Sequence, residues 1–501
     1  SELVAAGGVL PMFGFPTRDR PLYTSEPTGS MALDNCKATS RSLDQAVTMF
    51  APGGRVVKDK QDNFPVGFAH WEKRREEFVG KDPLGSVLKL SRCEDCSVVL
   101  ALDIWSGRRA EIAPDEVVSE TCPGCGRPMN VFSAYQPKGF RSDYVPDDYD
   151  SNVDAFVGFS LSSLARVPID QKSATVGALD IEMLENKQIV TLNDNRGQLF
   201  QSVKGDNNSI VVVDEELYEE KVLKHISHHI NRPKFPSHKY AIADILTTDV
   251  VVLTPQGLGI VGGILPTNSL VQPAGLAAIT SFAQLLVRGC KDYLQIDTNE
   301  LKVGLQPFSS DMGVSQRIFI ADVLENGAGY ASQIGDPVVL KGILENLISV
   351  TGARLSNPKV HTDCESSCPN CLRSYENQRI HGLLNWRLGI DFAELALGVA
   401  MNESRWLDRG ALASQQFTNT FSQQGALVVE HTASGLYAIG RSDKKKVVVL
   451  GHPLWRQDPR FFNDVQTSAY DELLALGYVD VKSSDMYLAE FKPYKMWSML
   501  Q

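Results

Sequence analysis

The stretch His361-Thr362-Asp363-Cys364-Glu365-Ser366-Ser367-Cys368-Pro369-Asn370-Cys371 decides how the C-terminal half of the chain is built. It places three thiolates within eight positions, a metal-ligand set that lacks a fourth donor. Two residues compete for that place. His361 is adjacent. Cys290, in Arg288-Gly289-Cys290-Lys291-Asp292, is remote in sequence but accessible if a helical domain folds it inward. Cysteine arithmetic favours Cys290, because the nine cysteines then divide into two sets of four and a single Cys36. Such a set suits a zinc ion; the alternative is an iron–sulfur cluster on the same four thiolates, which spacing does not exclude.

The other set is Cys93, Cys96, Cys122 and Cys125, two Cys-x2-Cys knuckles with Pro123-Gly124 forming the tight turn of the second. Short apolar runs beside both knuckles read as strands, which is how a zinc ribbon is assembled. Four protein thiolates close the coordination shell, so this zinc is expected to be structural, with no open position for an activated water. Two structural ions are therefore expected. Paired cysteines of this kind point to thiolate sites in a reducing compartment and a cytoplasmic location.

Outward from the cysteines, 501 residues with 43% hydrophobic and 22% charged content make ordinary globular protein of two to four domains. A net charge of −11 excludes coating nucleic acid by bulk electrostatics; any contact must come from a local basic patch or be shared with a partner. The uncharged run over residues 250–287 is broken by Pro255, Pro266 and Pro273, so it reads as buried core and no membrane partner is expected. The chain opens on Ser1 instead of Met, and the numbering is expected to start inside a longer polypeptide.

The fold class read from this pattern is mixed α+β and multidomain. Residues 1–75 form a Gly/Pro-rich segment, 76–142 the zinc ribbon, 143–272 a β-rich domain, 273–401 a helical zinc-binding domain and 402–501 a small α/β module. In the β-rich part, residues 187–192 and 198–203 read as strands joined by the hairpin loop Asn193-Asp194-Asn195-Arg196-Gly197. In the helical part, Leu276, Ile279, Phe282, Leu285 and Leu286, and later Leu384, Leu388, Phe392, Leu395 and Val399, follow helical spacing, while residues 317–323 read as a buried strand.

The second cysteine set continues through Leu372-Arg373-Ser374-Tyr375-Glu376-Asn377-Gln378 to His381, with Asp322 and Gly327-Ala328-Gly329-Tyr330 upstream. In this order it resembles the MrfA-type zinc-binding (MZB) domain attached to certain superfamily-two DNA helicases. The same domain occurs in DrmB-type proteins of the DISARM anti-phage system, which work with a helicase partner, DrmA. The opening Leu10-Pro11-Met12-Phe13-Gly14-Phe15-Pro16-Thr17-Arg18, the Phe50-Ala51-Pro52-Gly53 turn, the early ribbon and Pro137-Lys138-Gly139-Phe140-Arg141 also resemble the DrmB order, over residues 1–400. The resemblance implies that Cys290, Cys364, Cys368 and Cys371 hold zinc, that a DrmA-like helicase is the partner, and that the chain binds DNA in phage defence.

No G-x-x-x-x-G-K-[ST] occurs, and the strand-plus-acidic run Ile210-Val211-Val212-Val213-Asp214-Glu215-Glu216 has no phosphate loop to serve. ATP hydrolysis is thus expected of the helicase partner and not of this chain. For DNA with a single-stranded part, the candidates are Arg18 and Arg20 near Phe13 and Phe15, and Arg373, Tyr375, Asn377, Arg379 and Arg387 after the second cysteine set. Guanidinium and aromatic groups side by side hold phosphates and stack on bases. The plainer alternative is that Asn377 caps a helix and the arginines pair with carboxylates. His225, His228 and His229 read as a polar helix face, and Lys444-Lys445-Lys446 as a hairpin end. Two other functions stay open: the C-terminal portion of a single-chain helicase, and a protein–protein scaffold without DNA contact.

Overall fold

The computed structural model describes residues 19–28, 33–75, 77–103, 119–149, 160–165, 174–228, 239–256, 273–310, 313–325, 327–374 and 377–501. The architecture is mixed α/β, with strands dominating the first half and helices concentrated later. The chain folds into two units, Ser1–Pro168 with Asn186–Thr248, and Ile169–Glu185 with Asp249–Gln501. Two of the three boundaries fall inside the long strands Leu179–Asn193 and Lys239–Pro255.

In the first unit, aromatic and β-branched residues alternate along short strands, and one face of the sheet packs on the helix Leu43–Met49. Leu22, Phe68, Phe140, Phe200, Val212 and Tyr240 meet Leu43, Ala46 and Val47 of that helix. A second cluster, with Leu88, Leu90, Val99, Ala134, Val190 and Leu192, lies beneath the cysteine-bearing hairpins. The Asn193–Gly197 loop forms with left-handed backbone at Asn195 (φ 51°), Arg196 (φ 57°) and Gly197 (φ 89°), as its residue types favour. Its flanking strands, expected to pair as a hairpin, instead part company: residues 189–192 pair with Leu161–Leu164, and Phe200–Lys204 with Ile210–Val212. Loop chemistry is local, whereas the choice of strand partner is made by packing at long range.

The second unit is organised around the helix Pro273–Leu294, which starts at a proline whose missing N–H costs nothing there. It lies against Trp386–Leu397, with the Phe282 and Phe392 rings stacked at 4.8 Å. That second helix is capped by Asn385, whose Oδ1 accepts from the backbone N–H groups of Arg387 and Leu388, and it ends at the left-handed Gly398. Asp322 organises the Gly327-Ala328-Gly329 loop by accepting from the N–H groups of Ala328, Gly329 and Ala331.

The region read as helical also carries a hairpin of two ten-residue strands, Leu301–Ser310 with Gly313–Asp322, which continues onto residues 250–253. The second hairpin strand was foreseen and the first was not. Gly304 and Pro307 interrupt its apolar alternation, and the gap over Gly304 is filled by the Phe319 ring.

Residues 402–501 form a four-stranded sheet in sequence order, Leu427–His431, Tyr437–Arg441, Lys446–Gly451 and Asp480–Asp485. The last pair is parallel, joined through the helix Asp464–Ala475. One face of this sheet does not form a core of its own: Ile439, Val448, Leu450, Met486 and Trp497 share a cluster with Phe282, Leu388 and Trp406. Arg405 stitches the same region by pairing with Asp391 at 2.6 Å and with Glu394, while Trp406 Nε1 donates to Asp391 at 2.9 Å. Among the described residues no helix is long and apolar enough to cross a membrane.

Candidate metal centres

The first centre sits at the tips of two adjacent hairpins. Ser86–Arg92 leads into Cys93 and Val99–Asp103 leads away; Ser119–Thr121 and Pro128–Gln136 do the same around Cys122. The hairpins are joined edge to edge through Val131 opposite Ser91. Each knuckle turns back through one left-handed residue just after its second cysteine, Ser97 (φ 63°) and Gly126 (φ 76°). The turn is closed by Ser97 N–H to Cys93 O at 3.0 Å and Gly126 N–H to Cys122 O at 2.8 Å. These turns aim all four thiols at one point. Cys93 and Cys125 Sγ lie 3.4 Å apart, as do those of Cys96 and Cys122, and all four sulfurs fall within 4.8 Å of one another. Thiolates at about 2.3 Å from a tetrahedral zinc are about 3.8 Å apart, so the donor set fits the ion.

The second centre brings together His361, Cys364, Cys368 and Cys371, again within 4.8 Å. Cys364 and Cys371 Sγ are 3.8 Å apart, and His361 Nε2 is 3.3 Å from Cys368 Sγ. His361 Nδ1 lies 3.0 Å from Leu355 O. A proton on Nδ1 donated there leaves the Nε2 lone pair for a metal, the usual way an outer hydrogen bond selects the ligating tautomer. Trp386 packs edge-on against the imidazole at 5.5 Å and holds its plane. The Cys371 sulfur, which accepts from the Cys368 N–H at 3.0 Å, is held below the ordinary thiol range, first by the Cys364 hydrogen bond and then by that N–H. Thiolate is the form that binds metal.

Cys290, the donor that cysteine arithmetic and the family resemblance both favoured, is not in this group. It lies in the last turns of Pro273–Leu294, fully buried within the apolar core of the second unit, and burial pushes its thiol up to about 12. Free cysteine behaves as a small apolar side chain and is often buried as one. Counting cysteines carries no information on which of them a helix turns toward the loop; of the two residues that compete for the fourth place, His361 is the one whose ring lies with the three thiols.

Residues 282–372 match the MrfA Zn-binding domain, MZB. Druantia protein DruE of Escherichia coli (strain UMEA 4076-1) is 23% identical over 421 residues, a stretch covering 79% of this chain and 22% of DruE. The chain thus spans about a fifth of the length of that curated relative. A crystal structure of the DUF1998 helicase MrfA bound to DNA is similar at 13% identity over 61% of this chain and 35% of its own, with a TM-score of 0.27. A second MrfA structure, bound to DNA and AMPPNP, aligns at 13% identity over 62% of this chain and 34% of its own, with a TM-score of 0.21.

The residues singled out for nucleic acid are scattered. Arg18 and Tyr375 lie outside the described residues. Arg20 donates Nε to Pro137 O at 2.7 Å. Asn377 is buried and its amide is engaged internally: Nδ2 donates to Gln284 Oε1 at 2.9 Å and Leu372 O at 2.8 Å, and Oδ1 accepts from Ser374 N–H at 2.8 Å. It neither caps a helix with its side chain nor faces solvent; it ties the metal loop to Pro273–Leu294. Arg379 is exposed, while Arg373 and Arg387 flank the metal loop. His225 Nδ1 pairs with the buried Asp143 at 2.8 Å, docking its helix instead of presenting a bare polar face. Lys444 Nζ donates to Gln501 O at 2.9 Å, beside the end of the helix Pro493–Leu500.

Proposed function

We propose that this chain is a zinc-containing, DNA-binding subunit that works beside a superfamily-two helicase in bacterial defence against phage, and that it does not itself hydrolyse ATP. The observation carrying this reading is the coincidence of the MZB match over residues 282–372 with a converging three-thiolate, one-imidazole centre. The four residues that would hold the second ion are His361, Cys364, Cys368 and Cys371; Cys93, Cys96, Cys122 and Cys125 would hold the first. With every donor of a group within 4.8 Å of the others, each group suits one ion better than a cluster of irons. Four protein ligands at each centre support a structural role for both ions. The sequence resemblance to DrmB-type proteins supports a DrmA-like partner that supplies the motor.

The test is a mobility-shift and ATPase assay on the purified chain, alone and with a helicase partner. DNA retention with ATPase activity only in the mixture is the expected result; strong hydrolysis by this chain alone refutes it. A second reading, that the chain is part of a single-polypeptide helicase, is favoured by the alignment occupying only 22% of DruE. The coding sequence around the chain decides between them: a phosphate-loop motif in the same frame selects the second.

A further inference from the structure

Four arginines surround the second metal loop, and among the described residues none of them forms an ion pair with a carboxylate. Arg288, on Pro273–Leu294, donates Nη2 to Arg373 O at 3.2 Å and Pro369 O at 3.4 Å. Arg373 donates Nε to Ser367 Oγ at 3.0 Å. Arg387 donates Nη1 to Glu365 O at 2.6 Å, with its guanidinium 4.4 Å over the Trp386 ring. Arg354 stands exposed on Ala353–Ser356, just before the loop. Carbonyls and a hydroxyl fix the direction of a guanidinium without cancelling its charge, and each of the three anchored arginines is held through one nitrogen, leaving others to donate.

Elsewhere the chain treats arginine differently: Arg55 pairs with Asp62 at 2.6 Å, Arg92 with Asp194 at 2.7 Å, and Arg409 with Glu490 at 2.9 Å. Around the metal loop three of the arginines are held by carbonyl and hydroxyl oxygens instead. Burial is the main cause that holds the Arg288 pKa below its ordinary value and pushes that of Arg387 down to about 10; Arg354 and Arg409 act in the same direction, and Asp292 near Arg288 and Glu490 and Asp391 near Arg387 act against it. A Zn²⁺ ion with three thiolates and a neutral imidazole carries a net charge of −1, enough to offset one arginine of the four. Residues 353–387 hold five Lys or Arg against three Asp or Glu, in a chain whose net charge is −11. This is the local basic patch that an acidic DNA-binding protein requires.

We propose that Arg288, Arg354, Arg373 and Arg387 form a phosphodiester clamp at the mouth of the second metal centre, gripping the backbone of a DNA strand without reading its bases. The clamp rests on the DNA-binding reading above. It assigns the metal a purpose beyond folding: it holds the loop whose carbonyl and hydroxyl oxygens fix three of the arginines in place.

The experiment titrates the full chain with labelled single-stranded DNA of two unrelated sequences, and with RNA matching one of them, from 50 to 300 mM salt. Arg354→Gln is the clean variant, since among the described residues the Arg354 side chain has no hydrogen bond or ion pair to lose; Arg373→Gln is the second. Each removed phosphate contact should make the log-affinity against log-salt slope shallower by about 0.7, equally for both sequences and with zinc content unchanged. If the wild-type chain binds DNA and neither variant changes affinity or slope, the clamp is overturned and DNA binding stands. Loss confined to one sequence, or tighter binding of RNA than of DNA, overturns the backbone-reading DNA assignment. A wild-type chain that binds no DNA even at 50 mM salt overturns the clamp and the reading together.

Discussion

Replacing His361 with alanine should loosen the second metal, and replacing Cys290 with serine should not. His361 Nε2 stands 3.3 Å from Cys368 Sγ with its other nitrogen engaged by Leu355 O, whereas the Cys290 thiol is enclosed by apolar side chains. Structural zinc sites hold their ion by about 10–16 kcal/mol, so one ligand of four is worth about 3 kcal/mol, or ~10²-fold in affinity. Dialysis against a graded chelator series followed by elemental analysis reads this out. The wild type should retain about two zinc ions per chain, and His361→Ala should fall toward one at chelator strengths ~10²-fold lower than the wild type needs. Cys290→Ser should keep both ions while losing about 1–3 kcal/mol of stability for the hydroxyl buried in an apolar site. The reasoning fails if Cys290→Ser releases one ion and His361→Ala keeps two.

Further predictions concern groups that the folded chain strains or satisfies. Asp485 caps the helix Met486–Phe491 through Leu488 N–H at 2.8 Å, and burial pushes its pKa up to about 7 from 3.8. Because the folded pKa lies above the unfolded one, the stability Asp485 contributes is complete below pH 3.8 and is lost as pH rises through 7, by about 4 kcal/mol in all. Asp485→Asn keeps the cap and removes this slope; equal wild-type and variant urea midpoint shifts between pH 5 and pH 8 would contradict the assignment. Asp322→Ala strands the N–H groups of Ala328, Gly329 and Ala331 and should cost about 2–4 kcal/mol, seen as a lower melting temperature. Cys93→Ser should release the first ion and open residues 86–136 to limited proteolysis, while an unchanged cleavage pattern would mean the hairpins stand without metal.

The first centre was legible because everything it needs is local. Two Cys-x2-Cys knuckles, a glycine for one tight turn and short strands on either side all lie within residues 86–136, and the structure places them as the spacing demands. The helices Pro273–Leu294 and Trp386–Leu397 were legible for the same reason, from 3.6-residue periodicity. The strand Leu301–Ser310 was not, since its glycine is completed by a phenylalanine on its neighbour. The residues 402–501 read as a separate module because their strands alternate correctly, yet the apolar face that this creates is closed by Trp406, Phe417 and the Trp386–Leu397 helix.

Near the second centre the division is sharpest. The sequence by itself determined that three thiolates within eight positions would meet, since so short a loop keeps them close whatever surrounds it. Only the tertiary structure decided which of the two competing residues lies beside them, because the Leu355 carbonyl orients the His361 ring while Cys290 is buried in the apolar core. It also decided that Arg373 and Arg387 are held by carbonyl and hydroxyl oxygens instead of carboxylates, and that Arg288 and Arg354, absent from any motif, stand beside them. Charge in a sequence is a count, while charge at a site depends on which neighbours packing brings within a few ångströms.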